Sequence, residues 1–171
     1  MSSLNVSLRD IPETVLVPAK HLSGGSVGAQ IAYGKDMSLM IATRQPGYHS
    51  KPHLHDAEQL NFVLEGELYV FIESTGFLAK KGDLFRIPRN AIHWSWVRGH
   101  GPCVLLEAHS PPLIGDPGVS DTAVALMTSG ERASVAGIAS QWPTDFDRDG
   151  AEDAILRAHP GQAAERKAVA S

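Results

Sequence analysis

Disulfides, basic excess and long apolar runs are all missing from this chain of 171 residues. Its one cysteine, Cys103, has no partner for an internal bridge, so the fold must rest on packing and hydrogen bonds, as suits a reducing compartment. No apolar stretch approaches the roughly 18 residues that span a bilayer. The opening MSSLNVSLRD has neither the basic start nor the apolar run of a secretory leader. A cytoplasmic location is the expectation. With 15 Lys and Arg against 19 Asp and Glu, and the signs scattered, nucleic acid and anionic membrane are excluded as main partners. The glycines of HLSGGSVG (residues 21–28) lack the spacing of a phosphate-binding loop.

What is there reads as one domain with an appended tail, since 43% apolar residues suffice for a single core. Short apolar runs recur between turn signals: AQIAY, MSLMIATR, QLNFVL, ELYVFIE, GFLAK, DLFRI, HWSWV and CVLLEA. Strands so punctuated by Gly, Pro and Asp spell an antiparallel all-β sandwich or barrel. Hairpin turns are expected at Glu65-Gly66 and Ser74-Thr75-Gly76. Residues 1–29 form an N-terminal arm or edge strand, 30–110 the barrel, and 111–171 an extension. Within the extension, a helical turn over Ala123–Met127 and a helix over Ala151–Ala158 precede a disordered end.

Chemistry concentrates between residues 47 and 93. His53 and His55 are two apart and leave a strand on the same face. Gln59 follows four residues later, and His93 arrives from a later strand beyond Gly82, Pro88 and Asn90. Imidazoles at such spacing, with an amide oxygen and a distant histidine, suit a divalent transition metal. His49 has the same parity as His53, so an unbroken strand aims it at the ion too; Pro52 between them can break that phase and leave His49 a hydrogen-bonding residue at the rim. Glu58 competes with Gln59 as a ligand but stands one residue out of phase. Parity places Asn61 and Val63 beside Gln59, and Ser95 and Val97 with His93, leaving Trp94 and Trp96 for core or a subunit interface. Tyr48, Phe85 and Ile87 are candidates for an apolar mouth, and His49 and Asn61 for catalytic groups. Asp145-Phe-Asp147-Arg-Asp149-Gly150 copies the first half of a calcium loop, but Leu156 stands where its bidentate glutamate belongs, so a solvated acidic loop is expected.

These residues resemble the cupin family. Gly47, His53, His55 and Gly66 fall in register with its first motif, G-x5-H-x-H-x3,4-E-x6-G, with Gln59 in place of the glutamate. Gly82, Pro88 and His93 match the second, G-x5-P-x-G-x2-H-x3-N, where Asn90 replaces the glycine and Val97 the asparagine. The resemblance implies a cupin antiparallel β-sandwich or jelly-roll barrel with a short, partly helical C-terminal tail. The segment from Gly47 to Glu73 is further similar to small cupins that act as aromatic polyketide cyclases. That similarity implies a homodimer holding one zinc-type ion through His49, His53, His55, Gln59 and His93 plus water.

A neutral glutamine leaves the ion its full charge and so raises its power as a Lewis acid. Zinc is the first expectation, with iron, nickel, cobalt and copper open on affinity. The expected function is a metal-dependent enzyme acting on a carbonyl-rich small molecule, an aromatic or poly-keto substrate, by aldol-type cyclisation. The alternatives are an iron or copper dioxygenase, and a sugar-related lyase, isomerase or ligand-sensing module.

Overall fold

In the computed structural model of the protein, the described residues are 4–116 and 119–158. Twelve strands run along them: β1 (Thr14–Val15), β2 (Leu22–Gly24), β3 (Val27–Tyr33), β4 (Ser38–Arg44), β5 (His49–Ser50), β6 (Glu58–Glu65), β7 (Glu67–Ile72), β8 (Thr75–Lys80), β9 (Leu84–Ile87), β10 (His93–Trp96), β11 (Cys103–Ser110) and β12 (Val124–Ala125). Helices α1 (Val119–Thr122), α2 (Ser129–Arg132) and α3 (Arg148–Ala158) lie in the extension. All eight expected runs are strands, namely β3, β4 and β6 through β11.

The strands form two sheets. One has the order β1-β3-β4-β11-β6-β9, with β12 also on β3, and the other the order β2-β5-β10-β7-β8. Apart from the parallel β12–β3 pair, the named pairings are antiparallel. Alternation sets what faces inward: Met40, Ala42 and Arg44 on β4, Leu105, Glu107 and His109 on β11, and Gln59, Asn61 and Val63 on β6 are all buried. Between the sheets lies a core that includes Val27, Ile31, Met40, Leu68, Val70 and Leu105. The turn from β6 to β7 requires glycine, because Gly66 sits at φ 74° and an added Cβ would lie 2.3 Å from the Pro102 carbonyl oxygen.

Three local readings change. The β7–β8 turn is Glu73-Ser74, and Thr75 and Gly76 already belong to β8. The helical turn expected over Ala123–Met127 is instead β12, where Val124 and Ala125 pair with Ala32 and Tyr33. β-Branched Val124 suits the edge of β3 better than a helix. The last eleven residues, expected to be disordered, lie outside the described residues.

The helix expected over Ala151–Ala158 is the body of α3, and it settles the place of the tryptophans. Ile155 and Leu156 pack with Tyr69, Phe71 and Trp94, so this chain's own extension covers Trp94. The acidic loop before α3 is a helix start: Asp147 Oδ1 accepts from the Gly150 amide at 3.0 Å. Among the described residues, no helix is long and apolar enough to cross a membrane.

Candidate metal centre

His53, His55 and His93 converge on one point between the sheets, their ligand atoms all within 4.8 Å of one another. The backbone builds this meeting. His53 and His93 exchange both amide-to-carbonyl hydrogen bonds, at 3.0 and 2.9 Å, which brings the ring centroids to 4.2 Å. Each ring is then turned by a local carbonyl acceptor: Nδ1 of His53 donates to Lys51 (3.3 Å), Nδ1 of His55 to Ala57 (3.0 Å) and Nδ1 of His93 to Ala91 (2.9 Å). With the proton on Nδ1, the lone pair of a neutral imidazole sits on Nε2, the arrangement a metal-ligating histidine needs. Burial, reinforced by the neighbouring histidines, holds His53 well below the ordinary imidazole pKa and pushes His93 down to about 3. Both are neutral near pH 7.

Gln59 completes the group. Its Nε2 donates to Asn61 Oδ1 at 2.7 Å and to Glu107 Oε2 at 2.9 Å, which fixes the amide with Oε1 turned to the histidines. Oε1 lies 3.1 Å from His55 Nε2. On a neutral His55 ring these are two lone pairs facing each other, an unfavourable contact that a cation between them relieves. The donor set therefore fits a divalent ion held by three imidazoles and one amide oxygen. Glu58 is exposed and paired with Arg86 at 2.8 Å, so the register puts Gln59 inside.

His49 is not brought into this group, contrary to the ligand set expected from the resemblance. Strand β5 ends at Ser50 and the phase is lost across Lys51-Pro52. His49 Nε2 instead meets Glu152 Oε1 of α3 at 2.7 Å, and its ring stacks on Trp96 at 4.5 Å. Trp94 Nε1 donates to the same carboxylate oxygen at 2.7 Å. In this structure His49 ties β5 to α3, and its ring lies outside the cluster of His53, His55 and His93.

The cavity beside the histidines measures about 50 Å³. Of the expected pocket residues, Tyr48, Phe85, Ile87, Ser95 and Asn61 line it. Val63 does not: it is fully buried in the core. Three polar residues that the sequence reading passed over complete the wall: Arg44, Glu107 and His109. Arg44 Nη1 pairs with Glu107 Oε1 at 2.5 Å. Burial alone would lower the Arg44 pKa, but the Glu107 carboxylate outweighs it and holds the guanidinium above its ordinary value. His109, opposite Gln59 on β11, is pushed down to about 3 by burial and then by His55 and Arg44. Three buried atoms of this wall have no hydrogen-bond partner among the described residues: Arg44 Nε, Asn61 Nδ2 and His109 Nδ1.

The extension closes the mouth. Leu54 and Gln141 exchange two backbone hydrogen bonds, at 3.0 and 2.8 Å. Next to them the Trp142 ring lies between His21, at 4.0 Å, and His53, at 4.5 Å.

Known proteins align with this picture over the barrel. Residues 40–109 match the family described as a cupin domain. Germin-like protein 1-1 of Oryza sativa subsp. japonica is 37% identical over 86 residues, 47% of this chain and 40% of that protein. Nectarin-1 of Nicotiana langsdorffii x Nicotiana sanderae is 34% identical over 85 residues, 46% of this chain and 37% of its own length. The matched stretch is thus less than half the length of these curated relatives. Two solved structures share the fold. A predicted oxalate decarboxylase from Thermotoga maritima has a TM-score of 0.56 at 16% identity, covering 63% of this chain and 98% of that one. An RmlC-like cupin from Shewanella frigidimarina has a TM-score of 0.52 at 19% identity, covering 60% and 86%. Over residues 40–109 the chain thus matches the cupin-domain description, and it shares its two-sheet fold with these two solved structures.

Proposed function

We propose that this protein is a metal-dependent enzyme acting on a small carboxylate that carries a second oxygen function next to the acid, a 2-oxo acid or a short dicarboxylate. The observation that carries the reading is the set of unpartnered polar atoms, Arg44 Nε, Asn61 Nδ2 and His109 Nδ1, on the wall of a cavity of about 50 Å³ beside the histidine cluster. Buried donors are rarely left without acceptors, and an oxygen-rich anion supplies them. Sites for drug-sized molecules run to roughly 300–1,000 Å³, so this cavity suits two or three carbons and not a folded poly-β-ketone. That size moves the reading away from the polyketide cyclases which the segment around Gly47 resembles.

His53, His55, His93 and Gln59 would hold the ion, zinc being the first choice for an all-neutral set. Bound there, a divalent ion supplies a Lewis acid that polarises a carbonyl or carboxylate oxygen. The chain's own residues do the rest. Arg44 and Asn61 donate to the substrate oxygens and orient the reacting carbon. Glu107 fixes Gln59 and offsets the charge of Arg44. His109, with its pKa near 3, acts as a neutral hydrogen-bond partner and not as a base at neutral pH.

The test is turnover by zinc-loaded protein, followed by NMR under nitrogen and in air, with oxalate, glycolate and pyruvate beside a triketide β-diketo acid. Consumption of a small carboxylate under nitrogen is expected, with loss of at least a hundredfold in kcat/KM for Asn61→Ala. Turnover of the diketo acid alone restores the cyclase reading, and strict dependence on oxygen favours an oxygen-activating enzyme.

A further inference from the structure

A second cavity lies on the far side of Trp142 from the histidines and shares that ring as its wall. Its volume is about 490 Å³, inside the roughly 300–1,000 Å³ range of small-molecule sites. Lys20, from the turn before β2, and Lys51, just after β5, both line it, and the Lys51 amide bonds to the His21 carbonyl at 2.9 Å, which ties the two loops together. Neither ammonium has an ion-pair or hydrogen-bond partner among the described residues. Two acids share this lining with Arg148 and the two lysines, so its net charge is positive by one. Asp149 holds Arg148 at 2.7 Å, and Asp147 Oδ1 accepts from the Gly150 amide at the start of α3. The His21 pKa is lowered by partial burial and then by Lys20 and Lys51, consistent with both positive charges converging beside its ring. Phe146, Pro52 and Pro143 supply apolar surface on the same cavity, with the edge of Trp142, held between His21 and His53, beside them.

We propose that this outer cavity is a second binding site, for an organic anion with a flat apolar body. Its acidic head sits between Lys20 and Lys51, and its ring lies against Phe146 and Pro52, beside the edge of Trp142. Three cations on the lining, Lys20, Lys51 and Arg148, against two carboxylates, Asp147 and Asp149, leave a net positive charge that gives the attraction, and the apolar floor gives selectivity over inorganic anions. Because Trp142 stacks on His21 on one side and on His53 on the other, a ligand here bears on the same ring that closes the inner cavity.

Titration calorimetry of the metal-free full chain tests this without calling on any activity. The probes are benzoate, phenyl phosphate, acetate and benzyl alcohol. Benzoate or phenyl phosphate is expected to bind at least tenfold more tightly than acetate or benzyl alcohol, the stronger of the two telling carboxylate from phosphate. The double variant Lys20→Ala with Lys51→Ala should weaken that binding at least tenfold and flatten its salt dependence, and Lys→Arg at both positions should restore it. Phe146→Ala should weaken the aromatic anions while leaving acetate unchanged. Asn61→Ala, in the inner cavity, should leave the affinity as it was. Benzoate and phenyl phosphate that fail to bind at tens of millimolar, or that bind equally to the double lysine variant, overturn the site. Sensitivity to Asn61→Ala in place of the lysines reassigns the binding to the inner cavity. These outcomes stand whether or not the inner site turns over a carboxylate.

Discussion

Arg44 and Glu107 show how one buried ion pair can serve a site in two ways, the guanidinium facing the cavity and the carboxylate holding Gln59. Their pair is nearly excluded from water, and Glu107 spends its second oxygen on Gln59. Removing one partner of a buried pair strands the other and typically costs about 3–5 kcal/mol. Glu107→Ala is therefore expected to lower unfolding stability by about that amount. Arg44→Met with Glu107→Leu should cost clearly less than the two single changes summed, measured by urea denaturation as a double-mutant cycle. Simple additivity would mean that the two side chains do not interact in solution. The motif residues His53, His55, Gln59 and His93 could be read from spacing because strand parity fixes which side chains share a face. Glu107 was equally exposed to that logic. It has the parity of Cys103, Leu105 and His109 in a run whose alternate residues must be inside, and Arg44 has the parity of Met40. A charge at an inward position demands a partner, but parity alone does not say which distant strand supplies it.

At the scale of elements, the unexpected part is the extension, which completes both the mouth of the cavity and the second hydrophobic cluster. Helix α3 was visible from AEDAILRA, but its docking was not, because the anchor is tertiary: Glu152 accepts from Trp94 Nε1 and meets His49 Nε2, with both rings belonging to the other sheet. The fit leaves no slack, since a Cβ on Gly76 of β8 would come within 2.5 Å of Ile155 Cγ2. His49 was expected as a ligand from strand parity and from the resemblance, and the break at Lys51-Pro52 turns it to α3 instead. Glu152→Ala removes the one carboxylate that serves both rings and leaves a buried indole donor without an acceptor, a loss of about 1–3 kcal/mol for each unsatisfied group. The expected result is a lower unfolding midpoint together with faster amide hydrogen exchange through α3, while β6 and β11 keep their protection. Unchanged exchange in α3 would show that apolar packing of Ile155 and Leu156 alone holds the helix.

For the whole molecule, the barrel was legible because its strands announce themselves by alternation and turn residues, whereas the surfaces it presents were not. The expectation of a subunit interface named Trp94, Trp96, the N-terminal arm and an exposed sheet face; Trp94 is covered by α3 and Trp96 is stacked on His49, while Leu4 and Leu8 of the arm are exposed. Further exposed apolar residues lie on the larger sheet, where Leu39, Leu60 and Leu84 are 44%, 54% and 76% exposed. The interior holds the more consequential global property, a set of histidines kept neutral by burial. In the unfolded chain each takes up a proton near pH 6.5. In the native protein His93 and His109 do so only near 3, and His53 is also held well below its ordinary value. Between those limits the unfolded state binds more protons, so stability must rise with pH and fall on acidification. The slope is at most about 1.4 kcal/mol per pH unit for each such histidine. Metal-free protein is expected to lose urea stability steadily from pH 6.5 to pH 5, above the range where most carboxylates titrate, and to be insensitive between pH 7.5 and 8.5. Saturating zinc should raise stability by a similar increment across this range, because His53 and His93 are already neutral in the folded protein and their lone pairs need lose no proton to bind the ion. A metal-free stability that is flat from pH 7.5 to pH 5 would mean that these rings reach water and take up protons in the folded state, and the neutral ligand cluster could not then be as drawn.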